Sequence, residues 1–145
     1  PWTPPESVGR LTQIEDEDLG GSGHIYRYRL EDGRFDIFVY EYDQDAPTQI
    51  ADTKASLNQV VEQGRIDSFR MGERTTAEIP WEGGTATLHR VAIPEVVRGE
   101  AWDSYMYLLQ DGDYWIKVRA SFPEGRYSES RLNAMVRALL AEPEE

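Results

Sequence analysis

The stretch that decides the fold runs from Ser104 to Phe122 and reads SYMYLLQDGDYWIKVRASF. Apolar and aromatic residues alternate on both sides of Asp111-Gly112, a dipeptide that favours a two-residue hairpin turn because its residues tolerate positive φ. Side chains two apart in a strand point to the same face, so this turn predicts one apolar core face. Its members are Tyr105, Tyr107, Leu109, Tyr114, Ile116, Val118 and Ala120.

The opposite face of this hairpin is mixed, and it supplies the candidate binding residues. It carries Trp102, Ser104, Met106, Leu108, Trp115, Lys117 and Arg119. We favour a face that is covered by a helix or by the N-terminal segment, since aromatic and Met side chains are more often buried than displayed. The alternative is an exposed apolar patch with a cationic border, which is typical of interaction sites. The predicted ligand- or partner-binding residues on it are Trp102, Met106, Trp115, Lys117 and Arg119.

A second hairpin signal surrounds Asp32-Gly33 in HIYRYRLEDGRFDIFVYEY, residues 24–42. A turn at Asp32-Gly33 would place Arg29 opposite Asp36, which predicts an ion pair across the two strands. The predicted core face of this hairpin is formed by Tyr26, Tyr28, Leu30, Phe35, Ile37 and Val39.

Two segments show the spacing of amphipathic helices. The first has a start signal at Asp45 and a stop signal at Gly64, and the second, at the C-terminal end, has Ser128 as a natural N-cap. The apolar positions of the first are Ile50, Leu57, Val60 and Val61, and those of the second are Leu132, Met135, Val136, Leu139 and Leu140.

Four strand-like runs lie between these helices, and they complete the element order ββαββββα. They are Ser68–Ile79, Thr85–Ile93, Glu100–Gln110 and Asp113–Phe122. Consecutive hairpins of this kind predict an antiparallel sheet with the two helices packed on it, which is an α+β fold. The expected organisation is a lead-in segment over 1–23, a single domain over 24–141 and an acidic tail over 142–145.

The element order and three segments resemble the PsbP-like superfamily, named after a photosystem extrinsic subunit. The segments are YRYRLEDGRFDIFVYEY (26–42), SYMYLLQDGDYWIKVRASFP (104–123) and the closing helix. The DIFVY and KVRASFP strands also make the chain similar to a group of uncharacterised exported bacterial proteins. The resemblance implies an α/β/α sandwich. It also implies a role in binding, because members of the superfamily include accessory subunits of photosynthetic complexes, a nuclear transport factor and bacterial lipoproteins.

The net charge of -12 argues against nucleic acid and anionic membranes as partners, because both are bound mainly through clustered Lys and Arg. No apolar run approaches the length of a membrane span, so no membrane insertion is expected. The chain begins with Pro and has no Cys, so we expect a mature exported protein without a lipid anchor. The expected location is the periplasm or the extracellular space.

The residue types needed for catalysis are sparse. There is no Cys, and the two imidazoles, His24 and His89, accompany no recognisable nucleophile motif. The acidic run Glu15–Asp18 and the pair Asp43 and Asp45 could offer oxygen ligands to Ca²⁺, but neither has the spacing of a calcium loop. We therefore predict no catalytic residue, no metal site and no cofactor.

These observations predict a non-enzymatic exported accessory domain that recognises a protein partner or a small amphipathic ligand. One alternative is an acidic antagonist, of the immunity-protein type, that binds a basic protein. The other alternative is an enzyme of a kind that the sequence does not reveal. The oligomeric state is left open.

Overall fold

The structure is a computed structural model that describes residues 2–20 and 23–141, and these residues form ten strands and two helices. The strands are β1 (Ser7–Val8), β2 (Leu11–Asp18), β3 (Gly23–Leu30), β4 (Gly33–Glu41), β5 (Ser68–Phe69), β6 (Thr75–Trp81), β7 (Gly84–Ala92), β8 (Glu95–Val97), β9 (Glu100–Asp111) and β10 (Tyr114–Pro123). The helices are α1 (Ala46–Glu62) and α2 (Glu129–Leu140).

The strands form one antiparallel sheet in the order β1-β2-β3-β4-β10-β9-β7-β6, and β8 pairs with β9 and β5. The two helices lie on opposite faces of this sheet. On one face, α2 contributes Leu132 and Val136 to the larger core cluster, and on the other Ala46 of α1 packs with Met106 and Trp115. The predicted α+β fold with an antiparallel sheet and two helices is confirmed.

Both predicted hairpins form, but each turn lies one residue away from its predicted position. The first turn is Glu31-Asp32, because Leu30 pairs with Gly33. The last turn is Gly112-Asp113, because Asp111 pairs with Tyr114. A displacement of one residue moves the pairing by two, which leaves the assignment of side chains to faces unchanged.

The predicted cross-strand pair of Arg29 and Asp36 is wrong. With the turn at Glu31-Asp32, Asp36 lies opposite Arg27, and Arg29 lies opposite Arg34. The Arg27 Nη1 to Asp36 Oδ2 distance is 3.6 Å, so Asp36 finds an arginine partner two residues earlier in the chain.

Gly33 explains the displaced first turn. A Cβ atom built at this position would lie 1.9 Å from Cδ1 of Phe122, because the ring of Phe122 packs directly on the Gly33 backbone. Gly33 therefore serves a close contact inside the sheet. The residue with a left-handed backbone conformation in this turn is instead Glu31, whose φ is 55°.

The helix caps follow the sequence prediction. Asp45 accepts a hydrogen bond from Thr48 N at 2.9 Å, and Ser128 accepts one from Arg131 N at 3.2 Å. The two helices nevertheless cover the sheet differently. In α2 the buried residues are Leu132, Val136, Leu139 and Leu140, whereas those of α1 are Ala46, Gln49 and Thr53. The predicted apolar positions of α1 are only half-buried, so α1 covers its face incompletely.

The sheet extends into the N-terminal segment that the sequence predicts as a lead-in. Strands β1 and β2 form within it, Leu11 is buried, and the Tyr28 hydroxyl donates to Pro5 O at 2.5 Å. The predicted run Ser68–Ile79 is wrong as a single strand, because residues 70–74 separate β5 from β6. The predicted acidic tail, 142–145, lies outside the described residues.

We expect Gly33→Ala to lower the free energy of unfolding by about 1–3 kcal/mol, because an added methyl group must displace Phe122. Gly84→Ala is the matched control, since a Cβ there meets only Trp81 O at 3.8 Å. Urea denaturation of both variants measures the difference. Equal stability of the two variants would contradict the packing role of Gly33.

Candidate functional site

The candidate site is a groove between α1 and the mixed face of the sheet, here called the α1 groove. Its main part is a cleft of about 850 Å³ whose lining includes Phe38, Leu57, Val60, Trp102 and Arg119. A smaller cleft of about 320 Å³ shares Phe38, Leu57, Val60 and Arg119 with the main part and adds Lys117. The apolar residues Phe38, Leu57, Val60 and Trp102 are half-buried, so the groove presents apolar surface beside charged side chains of both signs, Lys117 and Arg119 among them.

The pairing of β10 with β4 brings the charged residues of the groove together. Lys117 lies opposite Phe38, and Arg119 lies opposite Asp36. Lys117 and Arg119 are two residues apart on β10, so both side chains point to the α1 side of the sheet. Their position in the groove follows directly from the alternation of the strand.

The Arg119 side chain is 18% exposed and is held by partners on two neighbouring strands. Its Nη2 donates to Glu95 Oε1 and to Ser104 Oγ, each at 3.1 Å. Burial lowers the pKa of the Arg119 guanidinium, and the adjacent Glu95 carboxylate opposes this effect. Its Nε is buried and has no hydrogen-bond partner among residues 2–20 and 23–141. One donor of this cation is therefore left without an acceptor.

Lys117 has weaker compensation for its burial. Its Nζ donates to Thr53 Oγ1 at 3.3 Å and lies 5.7 Å from the centroid of the Phe38 ring. Within the described residues, no carboxylate lies within 4.0 Å of this ammonium. Burial, with a smaller contribution from Arg119, lowers the pKa of Lys117 from 10.5 to about 8. The ammonium is thus poorly solvated and has no acidic partner in this part of the chain.

Three acidic residues that line the groove, Asp36, Asp52 and Glu95, have partners of their own. The Asp52 carboxylate accepts a hydrogen bond from the Tyr42 hydroxyl at 2.6 Å. The Asp36 carboxylate lies 3.6 Å from Arg27 Nη1 and 3.8 Å from Arg34 Nε, and Glu95 is paired with Arg119. Neither Asp36 nor Glu95 therefore compensates the charge of Lys117 directly.

The structure divides the five predicted binding residues into two groups. Trp102, Lys117 and Arg119 line the α1 groove. Met106 is fully buried and Trp115 is 4% exposed, and both pack in the core cluster beneath α1. Met106 and Trp115 are thus covered, as expected if a helix packs on the mixed face. The predicted binding role of all five residues stays a prediction.

Sequence reasoning did not identify Phe38, Leu57, Val60, Thr53 and Glu95 as parts of a site. A usable signal was present in α1, where the polar residues Gln49 and Thr53 are four apart and lie on the buried side. The Thr53 hydroxyl contacts Met106 Sδ at 3.5 Å as well as Lys117. Polar residues on the buried side of a helix indicate that it packs on a polar region of the sheet.

A second cleft, of about 930 Å³, lies beside the N-terminus of α1 and is lined by Asp45, Arg74, His89 and Trp115 among others. His89 Nδ1 lies 3.1 Å from Arg74 Nη1, and burial together with Arg74 lowers the pKa of His89. A neutral ring that accepts a hydrogen bond from Arg74 accounts for this contact. The other imidazole, His24, lies 3.2 Å from Asp16 on the surface.

Two further findings concern the described residues only. No group of three or more His, Asp or Glu side chains is placed to hold a metal ion. Neither helix has the length and apolar character needed to cross a membrane.

The lowered pKa of Lys117 predicts a pH-dependent stability. Between about pH 8 and the ordinary value of 10.5, the unfolded chain binds more protons than the folded chain, so this residue makes the folded state more stable as pH rises. From about pH 7.5 to 9.5, we expect the wild type to gain about 1–2 kcal/mol of unfolding free energy relative to Lys117→Met.

Denaturation at a series of pH values measures this gain, and the window stops below the ionisation of tyrosine, near pH 10. Lys54→Met is the control, because Lys54 is exposed and is the one other lysine in the sequence. Parallel stability curves for the wild type and Lys117→Met would show that the buried ammonium is not desolvated.

Comparison with solved structures finds the same architecture in cyanobacterial PsbP (CyanoP) from Synechocystis sp. PCC 6803. The TM-score is 0.55 at 11% sequence identity, over 87% of this chain and 78% of that chain. The protein of unknown function PA94 from Pseudomonas aeruginosa gives a TM-score of 0.48 at 14% identity, over 99% of this chain and 88% of that chain. The sequence matches no family model and no curated protein. The chain therefore has a PsbP-like fold.

Proposed function

We propose that this chain is a non-enzymatic exported domain that acts in the periplasm or outside the cell as an accessory factor. It binds a small amphipathic ligand, or an amphipathic segment of a protein partner, in the α1 groove. Trp102, Lys117 and Arg119 contribute to the binding surface. Met106 and Trp115 support it from the core beneath α1.

The observation that carries the proposal is the composition of the α1 groove. Half-buried apolar side chains, among them Phe38, Leu57 and Val60, adjoin the half-buried cations Lys117 and Arg119. Sites for small molecules are typically clefts of about 300–1,000 Å³ with mostly apolar walls and a few placed polar groups, and the main cleft of 850 Å³ falls in this range. A water-filled surface groove without a ligand role has no need for this combination.

Val60→Trp tests the proposal by filling the groove. We expect this variant to bind the amphipathic dye 1-anilinonaphthalene-8-sulfonate at least about tenfold more weakly than the wild type, because the indole occupies the apolar wall. Fluorescence titration measures the affinity. The control is Ala51→Trp, since residue 51 is exposed and nine residues, or 2.5 helical turns, away from residue 60.

The control should bind the dye as the wild type does, because its indole lies on the solvent side of α1. Equal affinities of Val60→Trp and the wild type would rule out the α1 groove as the ligand site. Circular dichroism of each variant establishes that the fold is retained.

One observation favours the alternative of an acidic antagonist. Strand β2 carries four consecutive acids, Glu15–Asp18, next to Ile14, which is 55% exposed, and Leu19, which is 48% exposed. Within the described residues β1 pairs only with Leu11 and Thr12 of β2, so the acidic part of β2 borders the sheet and suits pairing with an extended basic segment of another protein. Two strands, β3 and β4, separate this surface from β10, so Val60→Trp would leave the binding of a basic partner unchanged.

A further inference from the structure

We propose that Lys117 and Arg119 form the head-group subsite of the α1 groove and hold the carboxylate of a long-chain carboxylic acid. The chain of this ligand lies along Phe38, Leu57 and Val60. The subsite presupposes the ligand-binding role proposed above, and it specifies the chemical class of the ligand.

The groove is lined by both acidic and basic residues, and the ion pairs around Lys117 point to an anionic head group at this residue. Asp36 is shared by Arg27 and Arg34, and Glu95 is paired with Arg119. Lys117 contacts a hydroxyl and an aromatic ring but no carboxylate of the described residues. One carboxylate carries the single negative charge that a lone ammonium requires. A doubly charged phosphate would bring a second charge that Lys117 alone does not balance.

The hydrogen-bond donors of the subsite are also free to receive a carboxylate. The ammonium of Lys117 has three N–H donors, and Thr53 Oγ1 accepts one of them. The Nε of Arg119 has no acceptor in the described chain but also no accessible surface, so a carboxylate would meet the 18% of the Arg119 side chain that is exposed and lines both clefts. The two residues are separated by one position on β10, roughly 7 Å along the strand, and both side chains reach the α1 side. A carboxylate has two oxygens, so it can accept from both cations at once.

Apolar side chains line the groove together with the cations. Phe38, Leu57 and Val60 line both parts of the groove, and the larger part goes on to Ile66 and Trp102. A head group at Lys117 and Arg119 therefore has apolar surface directly beside it. Burial of a chain on this wall strengthens binding with each CH₂ group that leaves water.

The test compares dodecanoate with dodecanol, which have the same chain but differ in head-group charge. Calorimetric titration at about pH 7, below the concentration at which dodecanoate forms micelles, measures both affinities. We expect the wild type to bind dodecanoate at least about tenfold more tightly than dodecanol, as charge-assisted hydrogen bonds require. Lys117→Met should lower the affinity for dodecanoate by a similar factor and change the affinity for dodecanol by less than about twofold.

The matched control is Lys54→Met, which removes the other lysine from the exposed side of α1 and should change neither affinity. Lys117→Met removes a desolvated charge and keeps an unbranched side chain that is one heavy atom shorter, so it should fold at least as well as the wild type. Equal loss of dodecanoate binding in Lys117→Met and Lys54→Met would contradict the proposed subsite. The carboxylate would then be attracted by the overall charge of the protein and not by Lys117 in particular.

The remaining outcomes separate the subsite from the groove. If dodecanoate and dodecanol bind equally and Val60→Trp weakens both, the groove binds ligands but the carboxylate subsite is wrong. If Val60→Trp weakens neither ligand, the proposed function and the subsite are both wrong.

Discussion

The pairing of β10 between β4 and β9 is the constraint on which the rest of the structure depends. This strand lies within the sheet and has a helix over each face, so each of its side chains enters one of two helix-covered layers. Ile116 and Val118 fill the layer beneath α2. The same alternation brings Lys117 and Arg119 into the layer beneath α1, where cations are costly.

The two helices respond differently to the layer that they cover. A helix that packed Leu and Val tightly over Lys117 would exclude water from the ammonium and provide no polar group in its place. The folded state would then lose several kcal/mol of stability. Instead α1 presents Gln49 and Thr53 to the sheet, and its apolar residues Leu57 and Val60 stay half-buried. The α1 groove is therefore a consequence of cations in the middle of the sheet, and it is also the feature that makes a ligand site possible.

The sequence allowed the sheet faces, the helices and their caps to be predicted, because period-two and helical alternation depend on local geometry. The turn at Glu31-Asp32 was missed because the contact of Gly33 with Phe122 joins residues far apart in the chain. Strand β2 was missed because its acidic sequence has few strand formers, and its pairing with β3 supplies the stability. The groove could not be predicted from the sequence, since the separation of α1 from the sheet depends on tertiary packing. Two of its cations, Lys117 and Arg119, were nevertheless among the predicted binding residues.

The most direct test of this account is the pKa of Lys117, measured by the ¹³Cε chemical shift in an NMR titration. The chain has two lysines, so the ¹³Cε signal that disappears in Lys117→Met is the signal of Lys117. An ammonium that is desolvated beneath α1 without an acidic partner titrates near pH 8. A midpoint at the ordinary lysine value of about 10.4 would contradict the account, because it would mean that solvent or a carboxylate already compensates this charge.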